Sequence, residues 1–295
     1  MLDPRAIRLL AAKTPLLTSE ILDRLGAHAP FTPRQVLDAI DDSNLRAWLL
    51  QNPAWPDECS RALEWLDARG ARLTHPGLAD YPAGLLELED PPLALTYFGA
   101  AFWRDSRLLS VVGSRAPEPR ALTWMELELA PLVRKGTALV SGGARGIDQR
   151  AHAICVRACV PTAAFLPSGL AKPYPGSFDD WIRPIIEAGG AVLSELDPFC
   201  DMRKHYFLKR NRLIAAMASV TLVIEARRQS GTMITARLAG SHGSTVAVVP
   251  GPAGDPRWAG SLDLLCAGAM LVRDAHDLRL LLDGSGAPGG RARPF

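Results

Sequence analysis

From about residue 108 onward the chain repeats one pattern: a short apolar run, a turn bearing Gly or Ser, then an amphipathic stretch. The runs are LLSVVG, TALVSGG, TAAFLPSG, AVLSE, VTLVIEA and TVAVVPG. Strands that are apolar at successive positions, rather than at every second one, are covered on both faces. Parallel strands need crossovers, and helical spacing near 120–135, 147–158, 178–188, 211–218, 232–242 and 261–267 supplies them. The expected fold is α/β, a doubly wound parallel sheet over about 76–282.

What precedes it differs. AIRLLAAK, SEILDRLG and TPRQVLDAI carry apolar residues at helical spacing, and a further helix is expected near 57–69. Ser19 and Thr32 suit N-caps, and Pro33 suits the first helical position. Residues 1–70 therefore read as a small helical domain. HPGLADYPAGLLELEDPPLALTYFGA reads as a Pro- and Gly-rich connector ending in a short extended segment, and 283–295 as a disordered tail.

Composition narrows the function classes. No apolar run reaches the roughly 18 residues of a membrane span, and the N-terminus lacks the apolar core of a secretory signal. A cytoplasmic protein with no membrane partner is expected, its five cysteines reduced. The net charge of +2 is uneven. Residues 1–100 hold 9 Lys and Arg against 14 Asp and Glu, whereas 101–295 hold 24 against 17, which points the C-terminal part toward an anionic ligand.

In an open parallel sheet, ligands sit beyond the carboxyl ends of the strands. The first run ends in Gly113, Ser114 and Arg115. The second ends in SGGARGID, where Gly142, Gly143 and Gly146 allow a tight turn before a helix, with Arg145 between them. That arrangement suits an anion. The third leads to Lys172 and Phe178, a cation and a ring. The densest signal is RKHYFLKRNR, with Lys209, Arg210, Asn211 and Arg212, read as a basic loop ahead of a helix starting near Asn211. Cations interleaved with aromatics suit a nucleic acid strand. Ser230, Gly231 and Thr232 form a second potential anion cradle. Glu225 is either a catalytic carboxylate or the partner of a nearby arginine, and His152 reads as a packing histidine. No Walker-type loop, metal-ligand spacing or complete catalytic constellation is present.

Taken in order, YPAGLLELEDPPLALTYFG, VVGSR, VSGGARGIDQRAH, PSGLAKPYP, GGAVLSE, FLKRNRLIAAMAS, LVIEARRQSGTMITARLA, VAVVPG and GSLDLLCAGA resemble the DprA/Smf family of DNA-processing proteins. The resemblance covers about 80–270. It implies an extended Rossmann-like domain binding single-stranded DNA, a sterile-alpha-motif-like N-terminal domain, loading of RecA recombinase during natural transformation, homodimers, and no catalytic reaction or cofactor. The family's winged-helix domain is not expected after the last helix. Departures fall at Gly143, Ala171, near Phe178 and at Leu262. In this reading Arg115 and Arg212 hold phosphates, the Gly142–Gly146 turn adds backbone donors, Lys172 adds charge and Phe178 stacks a base. Leu262, Leu265 and Met270 form a dimer contact. The alternative is a nucleotide-binding hydrolase or N-glycosidase using Glu225, although the PGGxGTxxE motif of phosphoribohydrolases is missing. A third possibility is a regulatory protein that only docks partners.

Overall fold

The computed structural model describes residues 2–14, 16–25 and 32–284. The helical domain contains α1 (Pro4–Ala11), α2 (Ser19–Leu25), α3 (Pro33–Asp38), α4 (Ser43–Gln51) and α5 (Trp55–Ala68). Their starts follow cap chemistry. Asp3 accepts from the Arg5 amide ahead of Pro4. Thr32 and Gln35 close a capping box around Pro33, as expected. At α2 the cap is Thr18, one residue before the expected Ser19: its hydroxyl accepts from the Ile21 amide at 3.4 Å.

The rest is a nine-stranded sheet in the order β1-β2-β6-β5-β4-β3-β7-β8-β9. The runs read from sequence become β3 (Leu108–Gly113), β4 (Ala138–Ser141), β5 (Thr162–Phe165), β6 (Ala191–Ser194), β7 (Val220–Ile224) and β8 (Thr245–Val248). All pair in parallel, for example Ser110 with Thr221 and Val140 with Ala163. A two-residue strand, β9 (Met270–Leu271), continues the parallel set at one edge.

The other edge corrects the sequence reading. β1 (Arg72–Thr74) and β2 (Leu95–Gly99) add antiparallel, with Thr96 opposite Ser194. The sheet thus begins at Arg72, ahead of the expected domain start near 76, and β2 is the short extended segment expected at the end of the connector. Of the expected tail, Asp283 pairs with Arg107 at 2.6 Å, while 285–295 lie outside the described residues.

Crossover helices cover both faces. On one lie α6 (Pro119–Trp124), α7 (Ala130–Arg134), α8 (Ile147–Arg157) and α9 (Asp179–Glu187). A single π turn, Met125–Leu129, joins α6 to α7 just before Pro131, which has no N–H to continue the ladder. The opposite face carries α10 (Lys204–Ala216), α11 (Gly231–Ser241) and α12 (Ala259–Cys266). The last helix, α13 (Ala275–Leu282), buries Leu278 on the first face. Side chains alternate between faces as strand geometry demands: Ala163 and Phe165 enter the α10 side, Ala164 the other.

The helical domain is fused to this sheet. Leu9, Leu10 and Leu66 share one apolar cluster with Ile185 of α9 and Val192 of β6. Each such fully buried leucine contributes about 1.5–3 kcal/mol. Lys13 reinforces the seam, its ammonium 3.0 Å from both Glu58 and Asp197.

Candidate functional site

The strand order reverses beside β3. Successive strands β4, β5 and β6 build outward on one side, and the chain then crosses to β7, β8 and β9 on the other. Diverging loops at such a reversal leave a crevice outside the strand ends. Here it has a volume of about 430 Å³ and is walled by the ends of β3 and β7, the start of α11 and one face of α10.

Gly113 ends β3 where a Cβ would overlap both the Ile224 carbonyl and the Ile147 side chain. Arg115 stands exposed at the rim, its guanidinium carbon 5.0 Å from the centre of the Phe207 ring. Across the crevice, Ser230 caps α11, accepting from the Met233 amide and donating to the Arg227 carbonyl. Thr232 donates to the Gly113 carbonyl at 2.9 Å and so locks the helix start to β3. Gly231 is exposed at that start.

The basic segment is a helix, not a loop. Neither Gly nor Pro interrupts Lys204–Ala216, and α10 begins seven residues earlier than expected. Phe207, Arg210, Asn211 and Ile214 recur at helical spacing along its crevice face. The sequence reading counted Phe207 only among the aromatics of the basic segment, and it gave Arg227, also on the wall, no role. The spacing along α10 is the signal that finds Phe207.

Helix formation also redistributes the charges. Arg212 points inward, with side-chain exposure of 11%. It ion-pairs with the buried Glu195, donates to the Asp90 carbonyl at 2.9 Å and approaches the Asp90 carboxylate. The expectation that it holds a phosphate is corrected: its charge is paired with carboxylates within the fold. Burial raises the Glu195 pKa above the ordinary range, opposed by the Arg212 charge.

Arg210 is buried at the crevice floor and donates to the Phe165 carbonyl at 3.2 Å. Burial lowers its pKa to about 10, while nearby Asp148 opposes that shift. Asp148 in turn accepts from the amides of Gly142 and Ala144, at 3.2 and 3.3 Å. Those two donors, expected to meet an external anion, are therefore occupied internally. Burial raises the Asp148 pKa, and Arg210 is the main opposing charge.

Phe178 is likewise corrected. It is fully buried, its ring against Gly143 and edge-on to His152, so it offers no stacking face. Gly143 has φ +68° and no room for a Cβ against that ring. Gly146, at φ +86°, lies against the Ser114 carbonyl and Arg115 backbone, with Arg145 exposed between the two glycines. His152 packs as expected, its ring hydrogen-bonded to Thr162. Lys172 is committed to Asp201 at 2.8 Å. The exposed ring of its loop is Tyr174, edge-on to Phe207.

On the crevice lining Arg115 and Arg227 have no carboxylate within 4.0 Å among the described residues, and the same holds for Arg145, Arg203, Lys204 and Lys209 on the neighbouring segments. Two buried polar atoms on its lining lack a hydrogen-bond partner, Nε of Arg210 and Oε1 of Glu225. Glu225 follows β7 with φ 55°, a left-handed conformation that costs a non-glycine residue on the order of 1–3 kcal/mol. Its Oε2 accepts from the Glu118 amide at 2.7 Å. Burial raises its pKa, opposed mainly by that hydrogen bond and by the Ser114 hydroxyl.

Of the expected dimer residues, Leu265 packs against the core beneath α12. Leu262 is half-buried beside a second groove next to Arg227 and Arg228, and Met270 is half-buried in β9. The exposed apolar side chain at that edge is Leu271. Among the described residues no cluster of three metal-ligating groups occurs, and no helix is long and apolar enough to cross a membrane.

The family model described as DNA recombination-mediator protein A matches residues 72–283. Protein Smf of Escherichia coli is 34% identical over 217 residues, which cover 74% of this chain and 58% of that protein. The DNA processing protein DprA of Streptococcus pneumoniae is 29% identical, covering 89% and 86%. The X-ray structure of DprA from Streptococcus pneumoniae superposes with a TM-score of 0.72 at 26% identity, over 95% of this chain and 97% of that one. A structure concerned with the single-stranded DNA binding mode of DNA processing protein A from Helicobacter pylori superposes with a TM-score of 0.65 at 28% identity, over 72% and 97%.

Proposed function

Because the chain belongs to the DNA recombination-mediator protein A family, the DprA/Smf DNA-processing proteins, we propose that it binds single-stranded DNA through the switch-point crevice. The observation that carries this reading is the separation of charges. Arg212, Lys172, Arg228 and Arg257 are spent on carboxylates, whereas Arg115 and Arg227 remain open on the wall of a crevice lined by Phe207, to whose ring Tyr174 stands edge-on. Open cations attract phosphates, and rings beside them accept bases without regard to sequence. The Gly231 end of α11 adds helix-terminal amides on the same wall.

In this role the protein shelters a strand without reacting with it and hands it to RecA during transformation or recombination, working as a cytoplasmic homodimer. The family resemblance supports the RecA and dimer parts. The exposed Leu271 at the β9 edge gives the dimer a place to form. Gel shifts with single- and double-stranded oligonucleotides at two salt concentrations test the reading. Tighter binding to the single strand, weakening with salt, is expected. Equal or tighter binding to duplex overturns it.

A further inference from the structure

The turn between β6 and α10 is held from two sides. It leaves the sheet at Glu195, which is paired with Arg212 of α10, and ends where α10 begins at Lys204. Between those points main-chain bonds brace it. The Cys200 amide donates to the Asp197 carbonyl, and the amides of Ala171 and Gly169 donate to the carbonyls of Pro198 and Cys200, all at 2.9 Å. A Cβ on Gly169 would overlap the carbonyl oxygens of Asp197 and Pro198, so the two loops touch backbone to backbone. Lys172 and Asp201 add an ion pair at 2.8 Å. A shift in the turn is therefore carried to the loop that bears Tyr174 and to the first turn of α10, which bears Phe207. Those two rings meet edge-on, and Phe207 lines the crevice.

The helical domain grips the same turn through two side chains. Phe199 lies edge-on to Trp65 of α5, with the guanidinium carbon of Arg61 5.1 Å from its ring centre. Asp197 is the stronger hold. Its Oδ1 accepts from the Phe199 amide at 2.9 Å, and its Oδ2 faces the Lys13 ammonium at 3.0 Å. Asp197 is 6% exposed, and among the described residues nothing but that ammonium compensates Oδ2. The ion pair thus keeps a buried carboxylate in place. Without it the charge must turn toward water, and the turn that carries it must move.

The second partner of Lys13 is Glu58 of α5, also at 3.0 Å, and that pair stays inside the helical domain. Only the pair with Asp197 crosses the seam. Neither Lys13 nor Asp197 reaches the crevice lining.

We infer that Lys13 is a positioning residue for single-stranded DNA binding: through Asp197 it fixes the turn that sets Tyr174 and the start of α10, and by that route the N-terminal helices hold the crevice wall in its binding shape. This rests on the single-stranded DNA reading above and adds to it a role for the helical domain that needs no contact with the strand. A wall already in its bound shape spares part of the ordering cost of binding.

The test is fluorescence-anisotropy titration of the full chain with a short oligothymidine across a salt series. Lys13→Met and Asp197→Asn, which keeps an acceptor for the Phe199 amide, are each expected to weaken binding about fivefold, the lower end of coupling between distinct sites. The double variant should bind no worse than either single one, because both remove the same link. The salt slope should match that of the unaltered protein, since Lys13 meets no phosphate. Lys13→Arg keeps the charge and should keep the affinity. Glu58→Gln removes the pair inside the helical domain and should leave binding unchanged, which separates the link across the seam from a general loss of stability. Folded Lys13→Met and Asp197→Asn proteins that bind like the unaltered one overturn the inference, and so does an equal loss in Glu58→Gln. Single-stranded DNA binding then still stands. An unaltered protein that binds no oligomer overturns both. Asp197→Asn is the milder change, and set against Glu58→Gln it carries the comparison if Lys13→Met does not fold.

Discussion

A Cβ on Gly142 would overlap Nη1 of Arg210, so the glycine at the end of β4 is what lets a buried guanidinium from α10 lie under the turn. One bare backbone position thus connects the basic helix to the glycine turn, and Asp148, which accepts from the Gly142 amide, completes the joint.

Gly142→Ala should displace Arg210 from this seat. Overpacking of a filled interior costs about 1–3 kcal/mol. Urea unfolding should show that loss, and single-stranded DNA affinity should fall as the crevice floor shifts. A variant with unchanged stability and affinity would show that the guanidinium relocates freely.

Arg115→Ala and Arg212→Ala should separate binding from folding. The first removes an exposed cation at the rim: affinity should drop and the salt slope should shrink by about 1, with the melting temperature unchanged. The second leaves the buried Glu195 without its partner, which costs on the order of 3–5 kcal/mol. Thermal melting and salt-dependent binding titrations on both variants distinguish the two.

His152 should make stability depend on pH. Burial, aided by the Arg210 charge, lowers its pKa to about 3, against 6.5 for an unburied imidazole. Between these values the unfolded chain carries the extra proton. The contribution of this group is fully present above pH 6.5 and is lost as pH falls toward 3, by about 1.4 kcal/mol per unit. Urea midpoints from pH 7 to 4 should fall less steeply for His152→Gln than for the unaltered protein.

Leu271→Arg should split a dimer formed at the β9 edge, whereas Leu265→Arg should damage the fold, since Leu265 packs into its own core. Light scattering reports the mass and circular dichroism the fold. A Leu271→Arg protein of unchanged mass would place the contact elsewhere.

The parallel strands were legible because burial on both faces writes a continuous apolar run such as VTLVIEA. β2 was legible only as an extended segment, without its antiparallel pairing, and β1 not at all, because three residues carry too little pattern. On α10 the charges masked the helical period. Arg212 could not be assigned inward from sequence, since its partners Glu195 and Asp90 lie 17 and 122 residues away. Phe178 looked like a stacking ring because a loop aromatic with a vacant glycine facing it is visible only in three dimensions.

Since Leu9 and Leu66 interlock with Ile185 and Val192, the N-terminal helices are a wall of the same building as the sheet. Calorimetry of the full chain should therefore record one heat-absorption peak. Amide exchange in α5 should slow or quicken in step with β6 and not ahead of it, because opening the helices strips the sheet of part of its own cover. A strand of DNA in the crevice would then raise the protection of helices it never touches.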